Sequence, residues 1–207
     1  MPGATPRFIH LRTHTEHSLL EGAVPVKKLV DLCKAAAMPA VAVTDTNNMF
    51  AALEFSVTAS EAGVQPIIGC QISIAHDPAQ PGEKPRLPAP LVLLAQNEAG
   101  YCNLMRLNTH LYIDGAMAGS ANLPQVTLDE LGRHAEGVIC LTGGPEGPLG
   151  RFHAGGQHGK ARSLLERLAR IYPDRLYVEL QRHPGPGGQL SEVEAVVERG
   201  AVELAYD

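Results

Sequence analysis

Six short apolar runs alternate along this chain with stretches of helical periodicity, and no other feature restricts its fold as much. The runs are Phe8–Thr13, Ala40–Thr44, Gln65–Ile74, Leu91–Ala95, Val138–Thr142 and Leu176–Gln181. Several are apolar without a break, as strands covered on both faces are. Between them, Val26–Ala37 sets Val26, Leu29, Val30, Cys33 and Ala37 on one helical stripe. Phe50–Ala62 reads as a second helix that stops at Gly63, a residue suited to the left-handed position after a helix. Thr127-Leu128-Asp129-Glu130 and Ser191-Glu192-Val193-Glu194 have the spacing of capping boxes, in which a hydroxyl and a carboxylate each satisfy the other's backbone N–H. Lys160–Ile171 is a further amphipathic stretch, closed by Tyr172-Pro173. Strands interleaved with helices in this way predict a mostly parallel α/β sheet or a barrel.

At 207 residues the chain fits one domain, or one domain and a fragment. Its 44% hydrophobic and 19% charged content is that of a globular chain. A net charge of −5 opposes gripping a phosphate backbone by bulk electrostatics, while leaving membership of a larger DNA-binding assembly open. No apolar run approaches the roughly 18 residues of a membrane span, so no membrane association is expected. Cys33, Cys70, Cys102 and Cys140 form no CxxC pair and read as reduced core thiols of a cytoplasmic protein. Ala75–Ala89 and His183–Gln189, rich in Pro or Gly, read as loops, and residues 1–6 as a disordered N-terminus. The helix opened at Ser191 runs toward Asp207 with no strand after it to pack against, so the chain reads as cut before its last strand or strands.

The first run carries unusual chemistry. Alternation along a strand puts His10, Arg12 and His14 on one side. Two imidazoles spaced this way can chelate a cation, but Arg12 stands where the second would be, and a guanidinium repels metals. In α/β barrels functional groups gather at the C-terminal ends of the strands. That rule collects His14, Glu16, His17 and Glu21 after the first strand, and Asp45, Thr46, Asn47 and Asn48 after the second. Gln71 in the third, Asn97 after the fourth, and Glu179, Arg182 and His183 from the sixth complete the set. Imidazoles with carboxylates are what hydrolytic metal centres use, yet this set is poor in carboxylates. Asp45 and Asn47 fit a simple Asx turn as well as a site, and Glu21-Gly22 fits plain turn chemistry. His10 reads as a hydrogen-bonded barrel histidine, and His76, His110, His134, His153 and His158 as surface or loop residues. Thr142-Gly143-Gly144 is a turn that could receive a phosphate, without a full phosphate-loop pattern.

The run from Phe8 through Thr13-His14-Thr15-Glu16-His17-Ser18-Leu19-Leu20-Glu21 to Gly22 resembles the first motif of the PHP (polymerase and histidinol phosphatase) domain. Within that family it is most similar to the domains that open bacterial DNA polymerase III alpha subunits. Met38-Pro39-Ala40-Val41-Ala42-Val43-Thr44-Asp45, Gly63–Cys70, Leu94–Leu104 and Leu176–His183 are further matches, and the resemblance runs from residue 7 to the end.

The resemblance implies a distorted (β/α)7 TIM-like barrel over residues 7–207, incomplete at its C-terminal end. Palm, fingers and thumb of a polymerase would lie outside this chain. Active relatives hold Zn or Mn at the strand ends for phosphoester hydrolysis or proofreading. Carried over by position, the ligands fall on Arg12, His14, Glu21, Thr46, Gln71, Pro90, Gly144 and His183, of which His14, Glu21 and His183 could still ligate. Asp45, Asn47 and Glu179 are further pocket candidates. So reduced a set implies a catalytically silent domain with no metal, while the parent polymerase, a DNA-directed nucleotidyltransferase, would use Mg elsewhere. The implied partners are a separate proofreading exonuclease (epsilon-type) subunit docked on this domain, the remaining polymerase domains, and DNA through the assembly. The competing expectation is a residual metal-dependent phosphoesterase or 3′–5′ exonuclease using His14, Glu21, Asp45 and His183. In the silent form Arg12 is expected to pair with Glu21 or Glu179.

Overall fold

The structure, a computed structural model, describes residues 8–75, 87–113, 123–183, 185 and 188–206. The tail at 1–6, His76, most of Ala75–Ala89 and part of the His183–Gln189 tract lie outside the described residues. In chain order the elements are α1 (Val26–Ala35), β1 (Ala40–Val43), α2 (Ala52–Glu61), β2 (Gln65–Ile74), β3 (Ala89–Ala95) and α3 (Glu98–Ile113). They continue with α4 (Leu128–Arg133), β4 (Val138–Leu141), a 3-10 turn (Gly144–Glu146), α5 (Pro148–Ala154), α6 (His158–Ile171), β5 (Leu176–Tyr177) and α7 (Glu192–Tyr206).

The local signals act as their chemistry requires. α1 buries Val26, Leu29, Val30 and Cys33. Gly63 follows α2 at φ +77°. Thr127 accepts from the Glu130 N–H while the Glu130 carboxylate takes the Thr127 N–H, a complete capping box. Ser191 and Glu194 do the same before α7.

The five strands lie side by side in sequence order. β1 and β2 are parallel, as are β4 and β5, but β3 runs antiparallel to both β2 and β4. The expectation of a mostly parallel sheet fails there for a physical reason. Parallel neighbours need a crossover that carries the chain back along the sheet, whereas β2 and β3 pair from their adjoining ends, Ile74 opposite Ala89, which sets them antiparallel. The chain returns beside β2 in the opposite sense.

Two other expected strands are cut short. Phe8–Thr13 is not a strand of this sheet; it meets β1 where the Ala42 and Thr44 N–H groups donate to the His10 and Thr13 carbonyls, each at 2.8 Å. The Thr13 N–H goes to the Thr44 hydroxyl at 3.0 Å, where a ladder would give it to a carbonyl. At the other edge the run from Leu176 stops pairing at Tyr177, and the Glu179 N–H donates to the Thr142 hydroxyl at 2.9 Å.

Both faces of the sheet are apolar. On one, Cys70, Ile72, Leu91, Leu93, Val138 and Cys140 pack with Leu104, Leu107 and Leu111 of α3. On the other, alternate residues of the same strands, Val92, Leu94 and Leu141 with Ala42, form a smaller cluster. That cluster floors a groove of about 650 Å³ walled by the Phe8–Arg12 and Tyr177–Gln181 segments. The C-terminal helix does find a seat. α7 buries Val197, Ala201 and Leu204, the last beside Leu149 of α5 and Ala161 of α6.

Candidate functional site

Polar side chains gather where β1, β2 and β4 end and β3 begins. Arg12 lies at their centre, 3.3 Å from Glu179 Oε1, with both side chains mostly buried. Its guanidinium also donates to Gln71 Oε1 at 2.6 Å and to the Gly143 carbonyl at 3.2 Å. Glu179 Oε1 accepts a further bond from Gln181 Nε2 at 2.6 Å. In the other direction Gln71 Nε2 donates to Thr46 Oγ1 at 3.0 Å, and the Thr46 hydroxyl donates to Glu21 Oε2 at 2.5 Å. Glu21 Oε2 is 3.3 Å from His14 Nδ1. The contacts form one run from His14 through Glu21, Thr46, Gln71, Arg12 and Glu179 to Gln181.

The backbone prepares this run. A parallel bridge between Thr46 and Gln71 extends the β1–β2 ladder and brings their side chains together. Gly143, at φ +80°, turns tightly enough that a Cβ would stand 2.2 Å from the Pro90 carbonyl oxygen. The carbonyl this turn presents accepts from Arg12, so the Thr142-Gly143-Gly144 turn faces a cation. Gly144 lies against the Gln181 side chain.

Asp45 does different work. It is buried, and its oxygens accept from the Thr15 N–H at 2.7 Å, the Thr15 hydroxyl at 2.7 Å and the Ser18 hydroxyl at 2.6 Å. Ser18 Oγ in turn accepts from the Thr46 N–H at 3.1 Å. The loop they pin is tight, since a Cβ on Gly22 would lie 2.0 Å from the Thr15 carbonyl oxygen. Asn47 is occupied along β2, bonding Ser73 through both its side-chain oxygen and nitrogen.

Other candidates lie elsewhere. Asn97 caps α3, its side-chain oxygen accepting from the Gly100 N–H, and reversal of β3 puts it at the opposite end of the sheet. His183 is largely exposed and 3.8 Å from Glu194 of α7, and Arg182 pairs with Glu198. His10 is exposed, its ring edge-on to Phe8, rather than a barrel histidine. His153 departs from the expected surface position: it is 3% exposed in α5, and its Nδ1 lies 2.9 Å from His158 Nδ1. Burial and the neighbouring His158 hold its pKa below the ordinary value of 6.5. Burial pushes the Cys70 thiol up to about 12 and raises Cys140 as well, so both are inert at neutral pH.

The residues do not fit a metal cluster. His14 is oriented as a ligand would be, with Nδ1 toward the Glu21 carboxylate and Nε2 buried without a partner. Around it stand a guanidinium, a threonine and a glutamine bonded to each other, and at Pro90 and Gly144 no donor at all. Among the described residues no three His, Cys, Asp or Glu side chains converge as ligands would. Gln181, Ser18 and the Gly143 carbonyl were not foreseeable site members, since their roles arise from contacts distant in sequence.

A model of the PHP domain matches residues 10–183. The chain is 42% identical over 202 residues to the DNA polymerase III subunit alpha of Caulobacter vibrioides, covering 97% of this chain and 17% of that protein. It is 39% identical over 178 residues to the DNA polymerase III subunit alpha of Pseudomonas aeruginosa, covering 86% and 14%. With that of Borreliella burgdorferi it shares 32% over 180 residues, covering 86% and 15%. The chain thus spans about a sixth of the length of these relatives. Among solved structures, an amidohydrolase from Chromobacterium violaceum is similar at 16% identity and a TM-score of 0.49, over 95% of this chain and 96% of that one. No helix among the described residues is long and apolar enough to cross a membrane. The match over residues 10–183 is decisive: this chain belongs to the PHP domain family.

Proposed function

We propose that this chain is the N-terminal PHP domain of a replicative DNA polymerase alpha subunit, acting in the cytoplasm as a non-hydrolytic platform that docks the proofreading exonuclease subunit. The parent protein would be a DNA-directed DNA polymerase, with its Mg-dependent centre outside this chain. One observation carries the reading: the Arg12 guanidinium, shared among Glu179, Gln71 and the Gly143 carbonyl, supplies at the strand ends the positive charge that metal-dependent relatives draw from cations. An arginine fixed by three acceptors is a structural cation, since it neither ionises water nor leaves. Similarity to alpha subunits over nearly the whole chain supports the parent assignment.

The unpartnered Nε2 of His14 speaks for the competing reading, a reduced hydrolytic site. Its other proposed members are dispersed: Asp45 is saturated by Thr15 and Ser18, and His183 faces α7. The test is made on the alpha subunit that carries this domain. Saturable binding of the exonuclease subunit, with no Mn- or Zn-dependent release of nucleotides from DNA 3′ ends, is the expected result. Metal-dependent hydrolysis abolished by His14→Ala would overturn it.

A further inference from the structure

Away from the Arg12 run, a pocket of about 230 Å³ opens beside α6. Ile74, Leu128 and Phe152 give it an apolar floor, and Lys160, Ser163 and Arg167 form one wall. Steps of three and four residues put those three on one face of the helix. Among the described residues neither the Lys160 nor the Arg167 side chain makes an ion pair or hydrogen bond. The first turn of α6 has no acidic residue, and the two cationic side chains lining the pocket are Lys160 and Arg167. These two cations stand together at the mouth of the pocket on a chain of net charge −5.

We propose that this pocket docks an acidic segment carrying one large apolar side chain. The apolar side chain would fill the cavity while flanking carboxylates meet Lys160 and Arg167. Charge complementarity selects the occupant's acidity, and the apolar floor selects a peptide over a nucleic acid, whose phosphates and sugars would leave the cavity empty. The inference rests on the reading that the domain docks the exonuclease subunit, and assigns the acidic segment to that partner.

The experiment measures binding of the exonuclease subunit to the intact alpha subunit, in wild type and in Lys160→Glu/Arg167→Glu, at two salt concentrations. Both side chains are exposed and, among the described residues, unpaired, so the unfolding midpoint should not move. The expected result is roughly tenfold or greater weakening, with a shallower salt dependence than wild type. The charge-conserving pair Lys160→Arg/Arg167→Lys should bind as wild type does. Unchanged affinity in the charge-reversed variant overturns the pocket assignment alone, whereas absence of binding by wild type overturns the docking reading itself. Loss of single-stranded DNA binding with exonuclease binding intact would also overturn the proposal, identifying a phosphate-binding face.

Discussion

Two polar clusters sit a few residues apart at the same end of the sheet, and they differ in how far their bonds reach and in how completely they are satisfied. Around Asp45 the bonds join two neighbouring loops: three donors from Thr15 and Ser18 converge on a buried carboxylate at the end of β1 and pin the N-terminal loop there. Around Arg12 the bonds cross the domain, tying the N-terminal segment to β2, to the turn after β4 and to the run after β5. The Asp45 cluster leaves none of its own atoms unsatisfied, while the Arg12 run is flanked by two buried orphans, His14 Nε2 and Glu179 Oε2.

That contrast can be broken by substitution. Asp45→Ala removes three charge-assisted bonds and strands two buried hydroxyls and an N–H, and should cost about 3 kcal/mol in denaturant unfolding. Arg12→Ala should cost less, about 2 kcal/mol, because it leaves Glu179 mostly buried with Gln181 still bonded to it. Combined with Glu179→Ala, the effects should be less than additive, since the second change removes the stranded charge. Strict additivity would mean that the 3.3 Å contact carries no coupling.

Much of the fold is legible in the residues and some is not, and the boundary is physical. Capping boxes at Thr127 and Ser191 and the left-handed Gly63 are written in local chemistry, so they read directly. The runs at Phe8 and Leu176 share the strand pattern, yet the first forms no strand of the sheet and the second pairs only over Leu176–Tyr177. In both places a threonine hydroxyl, Thr44 or Thr142, takes an N–H that a ladder would give to a carbonyl. Alternation records the propensity for a strand, and its partner decides whether one forms. The direction of β3 was not read from the sequence, because an apolar run has the same composition in either sense and only its pairing with β2 and β4 decides it. Nor was the burial of His153, since the seven-residue α5 gives no periodic signal and its cover comes from α6 and α7. In the site, the positions of Arg12, Glu21, Thr46 and Gln71 were marked by the family pattern. Their order as a continuous chain of bonds, and its extension to Gln181, required the tertiary structure.

A smaller effect concerns pH. His153 is depressed below its ordinary value, so the unfolded chain takes up a proton first as pH falls. Stability should therefore decline as pH drops through about 6.5, and His134, depressed mainly by burial and then by His110, adds the same sign. His153→Gln should flatten that slope in unfolding measured between neutral and mildly acidic pH. The smallest effect is expected at Glu21, whose side chain is 46% exposed: Glu21→Gln should cost under about 0.5 kcal/mol, keeping an acceptor for Thr46.

Metal stoichiometry tests the central claim, that the Arg12 run stands in place of a cation cluster. Elemental analysis after dialysis against Zn and Mn would be run on wild type and on Arg12→His. Both should hold well under one tightly bound ion per chain, because Thr46, Gln71, Pro90 and Gly144 supply no anionic ligand in either. Two or three tightly held ions in wild type would contradict the account, and tight binding restored by Arg12→His would show that only the guanidinium had stood in the way.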